Sequence, residues 1–78
     1  MVDRNEMKAV IALKGDRQED LADALGIPPS ALSARIKGKI EFRRNEIETI
    51  ILRYKLTPQD IQRIFFAKTV SQNSTSDT

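Results

Sequence analysis

Apolar residues recur along this chain at the spacing of helical faces, in five segments separated mostly by glycine or proline residues. In the first segment Met7, Val10 and Ile11 stand at positions i, i+3 and i+4, so they share one face of a helix. The later faces are Leu21, Ala22 and Leu25; Leu32 and Ile36; Ile47, Ile50, Ile51 and Tyr54; and Ile61, Ile64 and Phe65. No segment alternates polar and apolar residues with a sustained period of two. The pattern therefore predicts an all-α fold, a five-helix bundle.

Residues that favour helix ends stand at the borders of these segments. Residues 3–6 and 16–19 each place an Asp three positions before a Glu, the spacing of a capping box. Residues 57–60 offer a Thr N-cap followed by Pro at the first helical position, and Pro28 and Pro29 suit the beginning of the third helix. The expected helix ends are three glycines, Gly15, Gly26 and Gly38.

The chain length and a change in composition predict one domain and a tail. Seventy-eight residues suffice for a single small core, which we place in residues 1–68. From residue 69 the chain consists of Ser, Thr, Asn, Gln and Asp, with Val70 as the one apolar residue. So little apolar surface does not offset the entropy lost on ordering. We therefore expect residues 69–78 to form a mobile polar tail.

The second and third segments have the features of a helix-turn-helix. Ala22 is small where the third helix would pass over the second, and Gly26 accepts the positive φ that lets one helix stop and the chain reverse. The seam between the two helices would be Leu21, Leu25, Ile27, Leu32 and Ile36. The second helix of such a motif keeps one face free and fits the major groove of DNA. We therefore expect residues 28–37 to enter the major groove of duplex DNA.

The free face of the third helix follows from its buried face. If Leu32 and Ile36 face the core, steps of about 100° per residue turn the polar residues outward. The candidate base-reading residues are Pro29, Ser30, Ser33, Ala34 and Lys37. Hydroxyl, ammonium and methyl groups can all contact base edges, but without Asn, Gln or Arg for a bidentate contact we expect modest discrimination. Arg35 lies on the flank, where its guanidinium either reaches a phosphate or pairs with an acid.

The distribution of charge is more informative than the net charge of +2. Between residues 35 and 44 there are five basic residues and one acid, Glu41. Arg43 and Arg44 stand at the predicted start of the fourth helix, where each cation opposes the helix dipole by about 0.3–1 kcal/mol. A backbone phosphate bound there would reverse that cost, and Gln18 is similarly placed on the second helix.

Several function classes are disfavoured by what the sequence lacks. There is no cysteine for a disulfide and no histidine for a zinc finger or a general base. The acids Glu19, Asp20 and Asp23 have no recognisable pocket, and no glycine-rich phosphate loop occurs. We therefore expect no enzyme, metal, cofactor or small-molecule substrate. No apolar run approaches the ~18 residues of a membrane span, and the N-terminus does not resemble a signal peptide, so we expect no membrane partner and a cytoplasmic protein.

These motifs together resemble the Cro and repressor family of temperate bacteriophages and their bacterial relatives, the xenobiotic-response-element type of helix-turn-helix. The resemblance covers about residues 5–66 and is carried by residues 18–27 and 30–39, by Phe42 and Ile47, and by residues 56–66. It implies a lambda-repressor-like fold in a protein of the bacterial host cell. It also implies phosphate contacts by Gln18, Lys39, Arg43 and Arg44.

Two functions remain open at this point. The first is a small phage-type transcriptional regulator of a genetic switch that binds duplex DNA as a homodimer. The second is a modulator, or antirepressor, that binds a cognate repressor and masks or redirects its DNA binding. Phe65 and Phe66 point about 100° apart, and a small core does not hold both, so one of them is available for a dimer contact.

Overall fold

The computed structural model describes residues 2–66, and these residues form five α-helices. The helices are α1 (Arg4–Leu13), α2 (Gln18–Leu25), α3 (Pro29–Ile36), α4 (Arg44–Tyr54) and α5 (Pro58–Phe65). No strand occurs in this part of the chain, which confirms the predicted all-α bundle of five helices. None of the five helices is long and apolar enough to span a bilayer. The predicted tail, residues 69–78, lies outside the described residues.

One hydrophobic core joins all five helices. Its buried members are Met7, Val10, Ile11, Leu21, Ala22, Leu32, Ile36, Ile50, Tyr54, Leu56, Ile64 and Phe65. Phe42, in the connection before α4, packs edge to face on Phe65 with the ring centroids 5.8 Å apart. Ile47 and Ile51 are half-buried at the rim of the core, because the inward face of α4 is shared with Glu46.

The start of α1 forms only half of the predicted capping box. The Asp3 carboxylate accepts a hydrogen bond from the Glu6 amide at 3.0 Å, as expected. The Asp3 amide does not bind Glu6, because it donates to the carbonyl of Ile64 at 2.6 Å. The Glu6 carboxylate instead accepts from Arg63 Nε at 2.9 Å. The beginning of the chain is thereby attached to α5.

The capping box predicted for residues 16–19 is wrong. The N-cap of α2 is Arg17, which has no capping side chain. Asp16 Oδ2 accepts hydrogen bonds from the Tyr54 hydroxyl at 2.6 Å and from Arg53 Nε at 2.8 Å, and Oδ1 accepts from Arg53 at 3.1 Å. Charge-assisted bonds to a guanidinium are stronger than one bond to an amide. Asp16 therefore joins the α1–α2 connection to the end of α4.

The turn between α2 and α3 has the predicted left-handed residue. Gly26 adopts φ 73°. Its amide donates to the Asp23 carbonyl and the Ile27 amide donates to the Ala22 carbonyl, both at 3.1 Å. This pair of bonds is a Schellman motif, which satisfies the last carbonyls of α2. The turn reverses the chain, so that α3 returns across α2.

Candidate nucleic-acid interface

The packing of α3 against α2 follows the predicted seam. Leu21 and Ala22 of α2 are buried, as is Leu32 of α3. Leu25 and Ile27 pack against the same cluster and are partly buried. A larger side chain at position 22 would push the helices apart, because packed interiors leave little free volume.

The two sides of α3 differ sharply in exposure. Leu32 is 0% exposed and Ile36 is 2% exposed, so this side is fixed in the core. On the other side Ser30 and Lys37 are exposed, and Pro29 is exposed at the first turn. The outward orientation predicted for these three residues is present in the structure. Their role in reading bases remains a prediction.

Ser33 and Ala34 are less accessible than the other candidate base-reading residues, since both are half-buried. The chain after α3 folds back on Ala34, whose carbonyl accepts from the Lys39 amide at 2.9 Å and from the Ile40 amide at 3.4 Å. This return covers part of the helix end. It also holds the exposed Lys39 close to the outward side of α3.

The start of α4 presents two exposed arginines. Arg43 is the N-cap and Arg44 is the first helical residue. A guanidinium group has donors only, so Arg43 cannot cap the amides of the first turn. The Arg44 guanidinium lies 3.8 Å from the Glu48 carboxylate, an exposed pair of little energetic weight. Among residues 2–66 the Arg43 side chain forms no ion pair, so both cations are available to an external anion.

Arg35 pairs with an acid, which is one of the two alternatives that the sequence left open. Its Nε lies 2.9 Å from Glu46 Oε1, and a terminal nitrogen donates to the Ala31 carbonyl at 3.1 Å. Arg35 is 7% exposed and Glu46 is 4% exposed. Arg35 therefore does not reach the solvent side of α3.

Glu46 was missed at the sequence level, and it accepts a second hydrogen bond. The same Oε1 accepts from the Arg43 amide at 2.9 Å. Burial acts to raise the pKa of Glu46, but the bonds from the Arg43 amide and from Arg35 outweigh burial and leave this pKa below its usual value. The burial of Glu46 could have been predicted from its position four residues before Ile50, which places it on the buried face of α4.

Gln18 occupies the first residue of α2 and is half-buried. It lies beside a shallow depression whose other wall is formed by Lys8 and Ala12 of α1. This is the helix start predicted to approach a phosphate, and its N-cap Arg17 is occupied by ion pairs with Glu19 and Asp20. Phosphate binding by Gln18 remains a prediction.

A buried seam, a left-handed turn and a solvent-facing second helix define a helix-turn-helix protein. The comparison with protein families agrees, since residues 7–64 match the model of the helix-turn-helix family HTH_3. The chain belongs to this family, the xenobiotic-response-element type that includes Cro and related repressors. It has the lambda-repressor-like helical fold of the family and is a DNA-binding transcription regulator. No curated protein and no solved structure matches the chain.

Proposed function

We propose that this protein is a phage-type regulator of a genetic switch, acting in the cytoplasm of a bacterial cell, and that α3 occupies the major groove of its operator. The observation that carries the proposal is the orientation of α3. Leu32 and Ile36 are locked in the core, while Ser30 and Lys37 face solvent. The resemblance to the Cro and repressor family supports the role in a switch.

The outward side of α3 supplies the groups for base contacts. Lys37 donates to guanine O6 and N7, the Ser30 and Ser33 hydroxyls donate to or accept from base edges, and the Ala34 methyl contacts thymine. Pro29 contributes shape at the leading end of the helix. Because Ser33 and Ala34 are half-buried, Ser30 and Lys37 carry most of the discrimination.

Phosphate contacts come from the two sides of the motif. Arg43 and Arg44 approach one strand together with the free amides of the first turn of α4, and Lys39 lies between them and α3. Gln18 approaches a phosphate from the start of α2. These contacts fix the register of the protein on the duplex without reading its sequence.

Two copies bind the operator together. A single domain of this size makes few contacts, and high affinity requires half-sites about 34 Å apart to be held at once. The surface that we assign to the second copy is an apolar groove beside the α3–α4 connection. Ile40 and Phe66 flank it and are 48% and 45% exposed. Phe65 is buried, which leaves Phe66 as the aromatic residue available to the partner.

The salt dependence of duplex binding tests this function. Affinity falls as salt rises, and each lost phosphate contact makes the slope of log K against log salt shallower by about 0.9. Arg44→Ala is expected to make the slope shallower by about that amount and to weaken binding to all duplex sequences alike. Lys37→Ala is expected to reduce the ratio of operator affinity to random-sequence affinity by up to about tenfold, or about 1.4 kcal/mol.

Lys55→Asn is the matched control for these variants. It removes one positive charge at the opposite end of α4 and places there a residue that tolerates the positive φ of position 55. Operator affinity and slope are expected to stay near the wild-type values. Duplex binding that is absent at low salt, or that Arg44→Ala leaves unchanged, contradicts the proposal.

A modulator of another repressor is the second candidate. The outward side of α3 has no arginine, and Ser33 and Ala34 on it are half-buried. Both features favour a protein partner over highly sequence-specific recognition of bases. In that case the purified protein binds no duplex alone. It forms a stable complex with the repressor encoded beside it and changes the DNA binding of that repressor.

A further inference from the structure

One carboxylate oxygen joins the two elements that we assign to DNA contact. Glu46 Oε1 accepts from Arg35 Nε, on α3, and from the backbone amide of Arg43, where α4 begins, both at 2.9 Å. All three groups belong to the junction between the base-reading helix and the phosphate-contacting helix start. Glu46 is therefore the direct polar connection between these two parts.

The buried ion pair of Arg35 and Glu46 is not explained by a contribution to the free energy of unfolding. Replacing a buried ion pair by apolar residues of similar volume is often neutral or stabilising, because removing two charges from water is costly. The first turn of α4 would also be capped better by Ser, Thr, Asp or Asn at position 43 than by Arg43. The arrangement therefore favours a fixed geometry at this junction.

The Arg35 guanidinium also compensates the charge of Glu46. A buried carboxylate beneath a helix start would repel a phosphate approaching Arg43 and Arg44. With Arg35 at 2.9 Å the pair is neutral overall, so the amides and guanidinium groups outside it attract the phosphate without opposition. The charge of Glu46 is therefore cancelled where α3 meets the start of α4.

We propose that Glu46 is a positioning residue for DNA binding, which holds the start of α4, with Arg43 and Arg44, in register with the outward side of α3. This role rests on the proposed function, since it concerns the same phosphate contacts. Groups that are already fixed lose less conformational entropy when the duplex binds. Glu46 itself touches no DNA.

The test compares variants that keep the fold and differ at the junction. Arg35→Met combined with Glu46→Leu removes the connection without leaving an unpaired buried charge, so it is expected to fold. Its slope of log K against log salt is expected to be shallower by about 1–2, the loss of one or two phosphate contacts. Affinity for a random-sequence duplex at low salt should fall about tenfold or more.

One control separates positioning from stability. Ile64→Val trims a buried side chain of α5 and lowers stability away from the junction. A merely structural role changes the folded fraction but leaves the slope of the folded protein unchanged. Circular dichroism at the assay temperature establishes that each variant is folded.

The outcomes are distinct. A shallower slope in the double variant alone supports the role of Glu46. An unchanged slope in the folded double variant, or an equal change in Ile64→Val, overturns this role and leaves the proposed function intact. Wild-type protein that binds no duplex at low salt overturns the proposed function, and the role of Glu46 with it.

Discussion

At the scale of single residues, Asp16 has the most strongly altered acidity among the described carboxyl groups. The hydrogen bond from Arg53, followed by that from the Tyr54 hydroxyl, lowers the pKa of Asp16 to about 2. Burial, aided by Asp16, raises the pKa of the Tyr54 phenol. At neutral pH Asp16 is therefore ionised and Tyr54 is protonated, so the phenol can donate its hydrogen bond to the carboxylate. The carboxylate joins segments that lie far apart in the chain.

This acidity predicts how stability depends on pH. Because the folded-state pKa of Asp16 is lowered, its contribution is complete above the ordinary value of about 4 and is lost as the pH falls towards 2. The lowered pKa values of Glu46 and Asp60 act in the same direction. The sequence has no histidine, so we expect a level free energy of unfolding between about pH 6 and 8.

Urea unfolding at a series of pH values measures this profile. Asp16→Asn is expected to be less stable at pH 7 and to lose less stability on acidification, because the group that titrates is gone. A steep loss of stability between pH 6 and 7, or an Asp16→Asn variant with the full acid dependence of the wild type, contradicts the assignment.

At the scale of elements, neither end of α4 has a residue of the type that usually stabilises a helix end. Its start has Arg43 in place of a capping side chain, which fits a site that meets an anion. Its end places Lys55 in the left-handed region with φ 52°, the only non-glycine residue among those described with a positive φ. The side chain of Lys55 is exposed, and within residues 2–66 it forms no hydrogen bond or ion pair that compensates this conformation.

Lys55→Gly is therefore expected to stabilise the protein. The left-handed conformation costs an L-residue about 1–2 kcal/mol, and glycine adopts it freely at the expense of a more flexible unfolded chain. We expect a net gain of about 1 kcal/mol in the free energy of unfolding, measured by urea titration. Lys55→Ala, which keeps the side-chain strain, is the control. A variant with glycine that is no more stable than the one with alanine contradicts the explanation.

The faces of the helices could be predicted from sequence because helical periodicity is local. The spacing of Leu32 and Ile36 placed the inner side of α3 correctly. The capping box at residues 16–19 failed because spacing shows which short-range bond is available, whereas Asp16 has a stronger partner in Tyr54, 38 residues away. Such a competition is decided by the packed fold.

The candidate site was predicted in part for the same reason. The exposure of Ser30, Lys37, Arg43 and Arg44 follows from helix phase and charge. The partial burial of Ala34 depends on how the following loop returns, which its sequence does not specify. The pairing of Arg35 with Glu46 requires the arrangement of two helices, so the sequence could only offer it as one of two alternatives.

At the scale of the whole molecule, the groove flanked by Ile40 and Phe66 is the proposed contact surface between two copies of the protein. Phe66→Ser is expected to weaken self-association and to lower operator affinity, because it removes apolar contact area from the assigned dimer surface. Sedimentation equilibrium and operator titration measure the two effects. Leu52→Ser is the control, since Leu52 is 78% exposed on α4 and does not line the groove.

Two outcomes contradict the proposed dimer. In the first, the wild-type protein remains a monomer both free and on the operator. In the second, the Phe66→Ser variant self-associates as strongly as the wild type. Loss of self-association in both serine variants assigns the contact to a surface larger than the groove.

The attachment of Asp3 and Glu6 to α5 has a consequence during protein synthesis. The Asp3 amide meets the Ile64 carbonyl, and Glu6 meets Arg63 across 57 positions of sequence. A nascent chain therefore cannot close its core until α5 has left the ribosomal tunnel. We therefore expect the complete fold to form only after all of residues 2–66 have been translated.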